Sequence, residues 1–98
     1  MVIVTGAVQV QREPLSQALT LCRDHVQRSR GEPGCVSHAV HQDVEDPGRL
    51  FFFEQWQDRA ALSKHFALPE SVAFVVALRR FTNGSPKIAI YDAEVVAT

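Results

Sequence analysis

The sequence predicts an α+β domain in the order β-α-β-β-α-β, and three features carry the prediction. Alternating, largely apolar stretches stand at both ends of the chain, at 2–10 and 87–96. A long amphipathic stretch follows the first of them. A turn signal, Glu45-Asp46-Pro47-Gly48, joins two further apolar stretches in the middle. With 98 residues, a single domain spanning 1–98 is expected.

The elements follow in order. In the first strand Val2, Val4, Val8 and Val10 share one face, with Gly6 between them, and Ile3, Thr5 and Ala7 share the other. Both faces are mostly apolar, so both are expected to be covered. Pro14 suits the first turn of a helix. Leu15, Ala18, Leu19, Cys22, Val26 and Ser29 then recur at helical spacing, while Arg23, Asp24, Gln27, Arg28 and Arg30 are polar. The result is a helix of about 17 residues, with Gly31 as its C-cap and Pro33-Gly34 turning the chain. Residues 35–44 and 49–57 read as a hairpin. Pro47 and Gly48 stand at the second and third turn positions, which suits a type II turn. In the second hairpin strand Leu50, Phe52, Glu54 and Trp56 point one way, and Phe51, Phe53 and Gln55 the other. Asp58 caps a short helix carrying Ala61, Leu62, His65 and Phe66. Pro69 opens another, with Val72, Phe74, Val75, Val76, Leu78 and Phe81. Asn83-Gly84-Ser85-Pro86 reads as a loop, and 87–96 as the last strand.

This order is the ferredoxin-like plan, in which helices cover one sheet face. The other face here is apolar as well, and exposed apolar area of that size marks an interface. A homodimer packed sheet to sheet is therefore expected. The formal net charge of −1 gives no field toward nucleic acid or anionic lipid. No apolar run approaches the roughly 20 residues of a membrane span, and the first residues lack the basic region of a signal peptide. Two cysteines, Cys22 and Cys35, make no disulfide framework and read as reduced apolar fillers. A cytoplasmic protein is expected.

Among residues able to do chemistry, Glu54 stands on an otherwise apolar strand face. A buried carboxylate needs a partner, and a cation or His65 could supply it. His65 follows Ala61 and Leu62 by one turn, on the side expected to face the sheet. An imidazole there can take a proton from a phenol or hydrogen-bond the resulting anion. It can equally be a buried histidine satisfied by a carbonyl or by Glu54. His38 shares a face with Val36 and Val40 and is a candidate pocket residue; His41 faces the other way, which argues against both binding one metal. No Cys, His and carboxylate set has a metal-site spacing, and neither a Gly-rich phosphate loop nor a dinucleotide fingerprint is present. No cofactor or metal is therefore expected. Trp56, Phe52, Phe66, Phe74 and Phe81 are candidates for the wall of a substrate pocket, with plain core as the alternative for each.

Glu32-Pro33-Gly34-Cys35, the run from Asp46 through Trp56 with its Glu54-Gln55-Trp56 end, and Ala61 through Phe66 together resemble the antibiotic biosynthesis monooxygenase family. The resemblance covers nearly the whole chain. It implies ferredoxin-like subunits paired into a dimeric α+β barrel. It also implies a cofactor-free oxygenase of a small phenolic or quinol substrate, with O₂ as co-substrate and His65 and Glu54 at the catalytic site. An isomerase or lyase of a small oxygenated metabolite, and a ligand-binding dimer without turnover, are the competing readings. The residue pattern of the haem-degrading relatives is absent. One departure stands out. Many members carry a second histidine near the start of the second short helix, where this chain has Ser71, and that weakens any mechanism needing two adjacent histidines.

Overall fold

A computed structural model describes residues 1–98. Its elements are β1 (Val2–Val10), α1 (Leu15–Ser29), β2 (Cys35–Gln42), β3 (Arg49–Trp56), α2 (Arg59–Ala67), α3 (Pro69–Arg79) and β4 (Thr82–Asp92). The four strands form one antiparallel sheet in the order β2-β3-β1-β4, the ferredoxin-like arrangement. The helices cover one face. Period-two alternation sends Val2, Val4, Val8 and Val10 of β1, and Leu50, Phe52, Glu54 and Trp56 of β3, to that face, where all are buried. Ile3, Thr5, Ala7, Phe51 and Phe53 lie on the other face, half-buried.

The helix-side core has two parts. One gathers Val8, Val10, Ala18, Cys22, Val26, Leu50, Phe52 and Leu78; the other gathers Val2, Val4, Trp56 and Leu62. Asp58 caps α2 by accepting the Ala61 N–H at 2.8 Å, and Pro69 occupies the first turn of α3. No single helix is long and apolar enough to cross a membrane. Both cysteines are free thiols. Burial pushes the Cys22 thiol up to about 12, so it stays protonated and serves as a core filler.

Several local expectations are corrected. The hairpin turn is not type II, because Gly48 does not have positive φ. Instead Arg49 N–H donates to Asp46 O at 2.9 Å, and the Asp46 carboxylate accepts the Gly48 N–H at 3.0 Å. Gly48 is needed for space: a Cβ there would lie 2.7 Å from the Val10 carbonyl oxygen. Gly31 is not a left-handed cap either; α1 ends at Arg30 in helical conformation. The left-handed residue is Gly34, with φ +83°. β2 ends at Gln42 rather than 44. β4 begins at Thr82, so the expected loop at 83–86 belongs to the strand. An edge strand tolerates Pro86, and the register shift opposite Ala7 and Gln9 absorbs the irregularity. β4 also ends earlier. Asp92 pairs with Val2, Ala93 N–H reaches Met1 O, and there β1 runs out. Val95 and Val96 are consequently exposed.

Candidate functional site

Between the two parts of the core stand four buried polar side chains from four elements: His25 of α1, His38 of β2, Glu54 of β3 and His65 of α2. Ring nitrogens of the three histidines lie within 4.8 Å of one another. His25 stacks flat on Phe74, with centroids 3.9 Å apart, and the His65 ring lies 4.6 Å from the Trp56 ring.

His25 and His65 each have a fixed partner. Nδ1 of His65 is 2.7 Å from Oε1 of Glu32. A carboxylate accepts, so this nitrogen donates, and the neutral ring is left with a free lone pair at Nε2. Nδ1 of His25 is 2.8 Å from Nη2 of Arg28. A guanidinium only donates, so here Nδ1 accepts and the proton sits on Nε2. Glu54 Oε1 accepts the Trp56 indole N–H at 2.9 Å and lies 3.3 Å from His38 Nε2 and 3.9 Å from His65 Nε2. The contact with His38 is a close approach rather than an aligned hydrogen bond, since both His38 ring nitrogens lack a partner.

The electrostatics follow from these neighbours. Burial pushes the Glu54 carboxyl up, but the neighbouring His38, the Trp56 N–H and the nearby His65 outweigh it, and the group is held below its usual range. His25 is pushed down to about 3, first by burial and then by His38, His65 and Arg28, with Glu54 acting weakly against them. It is therefore neutral at physiological pH. Metal coordination through His25 Nε2 would require the ring proton to move to Nδ1 and the Arg28 contact to be given up.

A cavity of about 320 Å³ opens beside this cluster, between the sheet and α3. Its walls are mostly apolar. Phe52, Phe66 and Phe74 border it, and Val72, Val75 and Ile88 form half-exposed parts of its rim. His25, Glu54 and His65 supply its polar end. The Nε2 atoms of His25 and His65 make no hydrogen bond and are not sealed in, and both residues line the cavity. Ser71 also borders it, with a buried hydroxyl that has no partner.

Of the residues proposed from sequence, His65, Glu54, Phe52, Phe66 and Phe74 meet at this cavity. Three do not. Trp56 is wholly buried behind Glu54 as core. Phe81 packs against the larger core cluster beyond the end of α3. His38 is sealed behind Glu54, and its expected grouping with Val36 fails, because Val36 is the extra residue of a bulge between Cys35 and Ser37 and is exposed. Sequence reasoning missed His25 and Glu32. His25 was legible: Ala18, Cys22, His25 and Ser29 follow one another by four, three and four residues, and this is the buried stripe of α1. Glu32, in the turn after α1, carries no local signal. Ser71 is expected to weaken any mechanism needing two adjacent histidines, but α1 and β2 bring His25 and His38 beside His65.

The sequence pattern of the antibiotic biosynthesis monooxygenase family matches residues 1–77. The chain is 30% identical over 94 residues to sll1783 of Synechocystis sp. strain PCC 6803, covering 96% of this chain and 59% of that protein. The chain thus spans about three-fifths of the length of that relative. A solved structure of a proposed antibiotic biosynthesis monooxygenase from Deinococcus radiodurans superposes with a TM-score of 0.94 at 28% identity, covering 100% of this chain and 97% of that one. SnoaB, a cofactor-independent oxygenase from Streptomyces nogalater, shares the fold with a TM-score of 0.84 at 17% identity, covering 97% of this chain and 94% of that one.

Proposed function

Since the chain belongs to the antibiotic biosynthesis monooxygenase family, we propose that it is a cofactor-independent monooxygenase of a small phenolic or quinol ring. The observation that carries this reading is the Glu32–His65 pair at the polar end of an apolar cavity. Glu32 holds the ring by Nδ1 and leaves Nε2 as a base facing the space a ring would fill. The ring's hydroxyl proton passes to His65 Nε2, and the phenolate left behind is rich enough in electrons to react with O₂ directly. For a simple phenol, phenol and O₂ give quinone and water: one oxygen atom becomes the new carbonyl and the other leaves as water. The substrate supplies every electron, so the protein's part is positioning, exclusion of water and stabilisation of the anion. The cofactor-independent description of SnoaB accords with this chemistry.

A second copy packed on the open sheet face completes the proposed assembly. Ile3, Phe51 and Phe53 are only half-buried there.

The test is aerobic and anaerobic incubation with a panel of hydroxynaphthalenes and polycyclic phenols. Oxygen uptake should accompany products gaining one oxygen and losing two hydrogens. His65→Ala should lower turnover about 10²–10⁴-fold. Glu32→Gln should also lower it, because an amide can hold the ring in the wrong tautomer. Full turnover in His65→Ala, or no oxygen-dependent product from any phenol, defeats the reading; product formed equally without oxygen favours an isomerase or lyase.

A further inference from the structure

Two imidazoles whose partners impose opposite tautomers on the neutral rings face one cavity end. Arg28 makes Nδ1 of His25 an acceptor, so its Nε2 is a donor; Glu32 makes Nδ1 of His65 a donor, so its Nε2 is an acceptor. The rings lie 5.3 Å apart by centroid, one nitrogen of each lies within 4.8 Å of one nitrogen of the other, and no hydrogen bond joins them directly. A gap of that size is what one oxygen atom bridges at about 2.8 Å from each nitrogen. Neither Nε2 atom makes a hydrogen bond or is sealed in, which distinguishes them from the sealed nitrogens of His38.

We infer that His25 contacts the substrate, and that His25 and His65 together form a donor–acceptor pair selecting a neutral ring hydroxyl. The inference rests on the phenolic reading above and names the group that reading leaves open. A hydroxyl satisfies both nitrogens at once: its proton is donated to His65 Nε2, and its oxygen accepts from His25 Nε2–H. An ether or a carbonyl can only accept, and leaves the His65 lone pair buried and unpaired. After proton transfer both rings are donors toward the phenolate oxygen, so one arrangement serves the ground state and the anion. Once His65 has lost that proton, a quinone product keeps only the His25 contact, which favours its release. Burial and the surrounding positive groups keep His25 neutral and its tautomer intact throughout. Flat stacking on Phe74 fixes the plane of the ring.

Long-range ¹⁵N NMR of the free protein tests the pair without any ligand. His25 should carry its proton on Nε2 and His65 on Nδ1. Titration with 1-naphthol and with 1-methoxynaphthalene then tests selection. The naphthol should bind about tenfold more tightly, the worth of one hydrogen bond with its partner otherwise left unpaired. His25→Phe, which retains the stacking partner for Phe74, removes the donor from which both oxygens accept, so it should weaken naphthol and ether alike, about tenfold each, and leave the preference for naphthol, which rests on His65. Should that variant not fold, the wild-type comparisons decide. A His25 proton on Nδ1, or naphthol and ether binding equally or not at all, overturns the inference. Oxygen uptake without a preference for the hydroxyl sinks this inference and spares the proposed function. Preference for the hydroxyl without oxygen uptake from any phenol does the reverse.

Discussion

Acidifying the protein from about pH 7.5 to about pH 4.5 should expose the cost of burying His25 as a neutral ring. In the fold this imidazole is pushed down to about 3 from 6.5, by burial and by His38, His65 and Arg28. Between those values the unfolded chain binds a proton that the folded chain refuses, so stability falls as pH falls. The decline begins near 6.5 and continues to about 3. At about pH 4.5 roughly two pH units of it have accrued, or about 3 kcal/mol. Glu54 acts with the same sign but later. Its folded carboxyl is depressed, so its contribution is lost only as pH drops below the ordinary value of 4.5 and through the lower folded one. The chosen interval therefore isolates the imidazole from that carboxyl. The assay is urea unfolding of wild type and His25→Phe at both pH values, at one fixed protein concentration because association would contribute. The wild type should lose about 3 kcal/mol more than the variant across the interval. Equal losses in the two proteins would refute the burial argument and, with it, the neutral state assigned to His25.

Three further outcomes follow from the packing. Trp56→Ala should cost about 3–5 kcal/mol in chemical unfolding, because the ring is wholly buried and its N–H serves Glu54; an unchanged melting temperature would contradict its place in the core. Gly34→Ala should destabilise more than Gly84→Ala. Both have positive φ, worth about 1–2 kcal/mol in either case, but a Cβ at Gly34 would sit 2.5 Å from Ala61 Cβ and one at Gly84 would meet nothing. Comparable losses in the two variants would show that α2 yields freely. Sedimentation at micromolar concentration should show a dimer, and Phe53→Lys on the open sheet face should dissociate it; a stable wild-type monomer rules out the proposed assembly.

Much of this molecule was legible from local pattern. Alternation in Leu50-Phe51-Phe52-Phe53-Glu54-Gln55-Trp56 assigned each side chain to a face, because a strand has period two whatever surrounds it. Asp58 and Pro69 marked their helix starts through backbone chemistry that needs no tertiary partner. His65 was placed on the inward side of its helix by Ala61 and Leu62 alone. Periodicity gives a face but not the residue standing opposite, and that is where the sequence fell short. Local pattern leaves the partner of Glu54 open between a cation and His65, and folding set Trp56 and His38 closest to it and gave His65 to Glu32. The turn at Gly34 put Glu32 there, and the bulge at Val36 turned His38 inward behind Glu54. The tautomer of His25 is set within its own helix by Arg28, one turn on, whereas that of His65 is set by the Glu32 carboxylate from a distant turn. Local sequence supplied the histidines and the faces they occupy. Which nitrogen of His65 donates was decided only when the turn after α1 met α2, because a proton's position on an imidazole is fixed by the partner it meets in space.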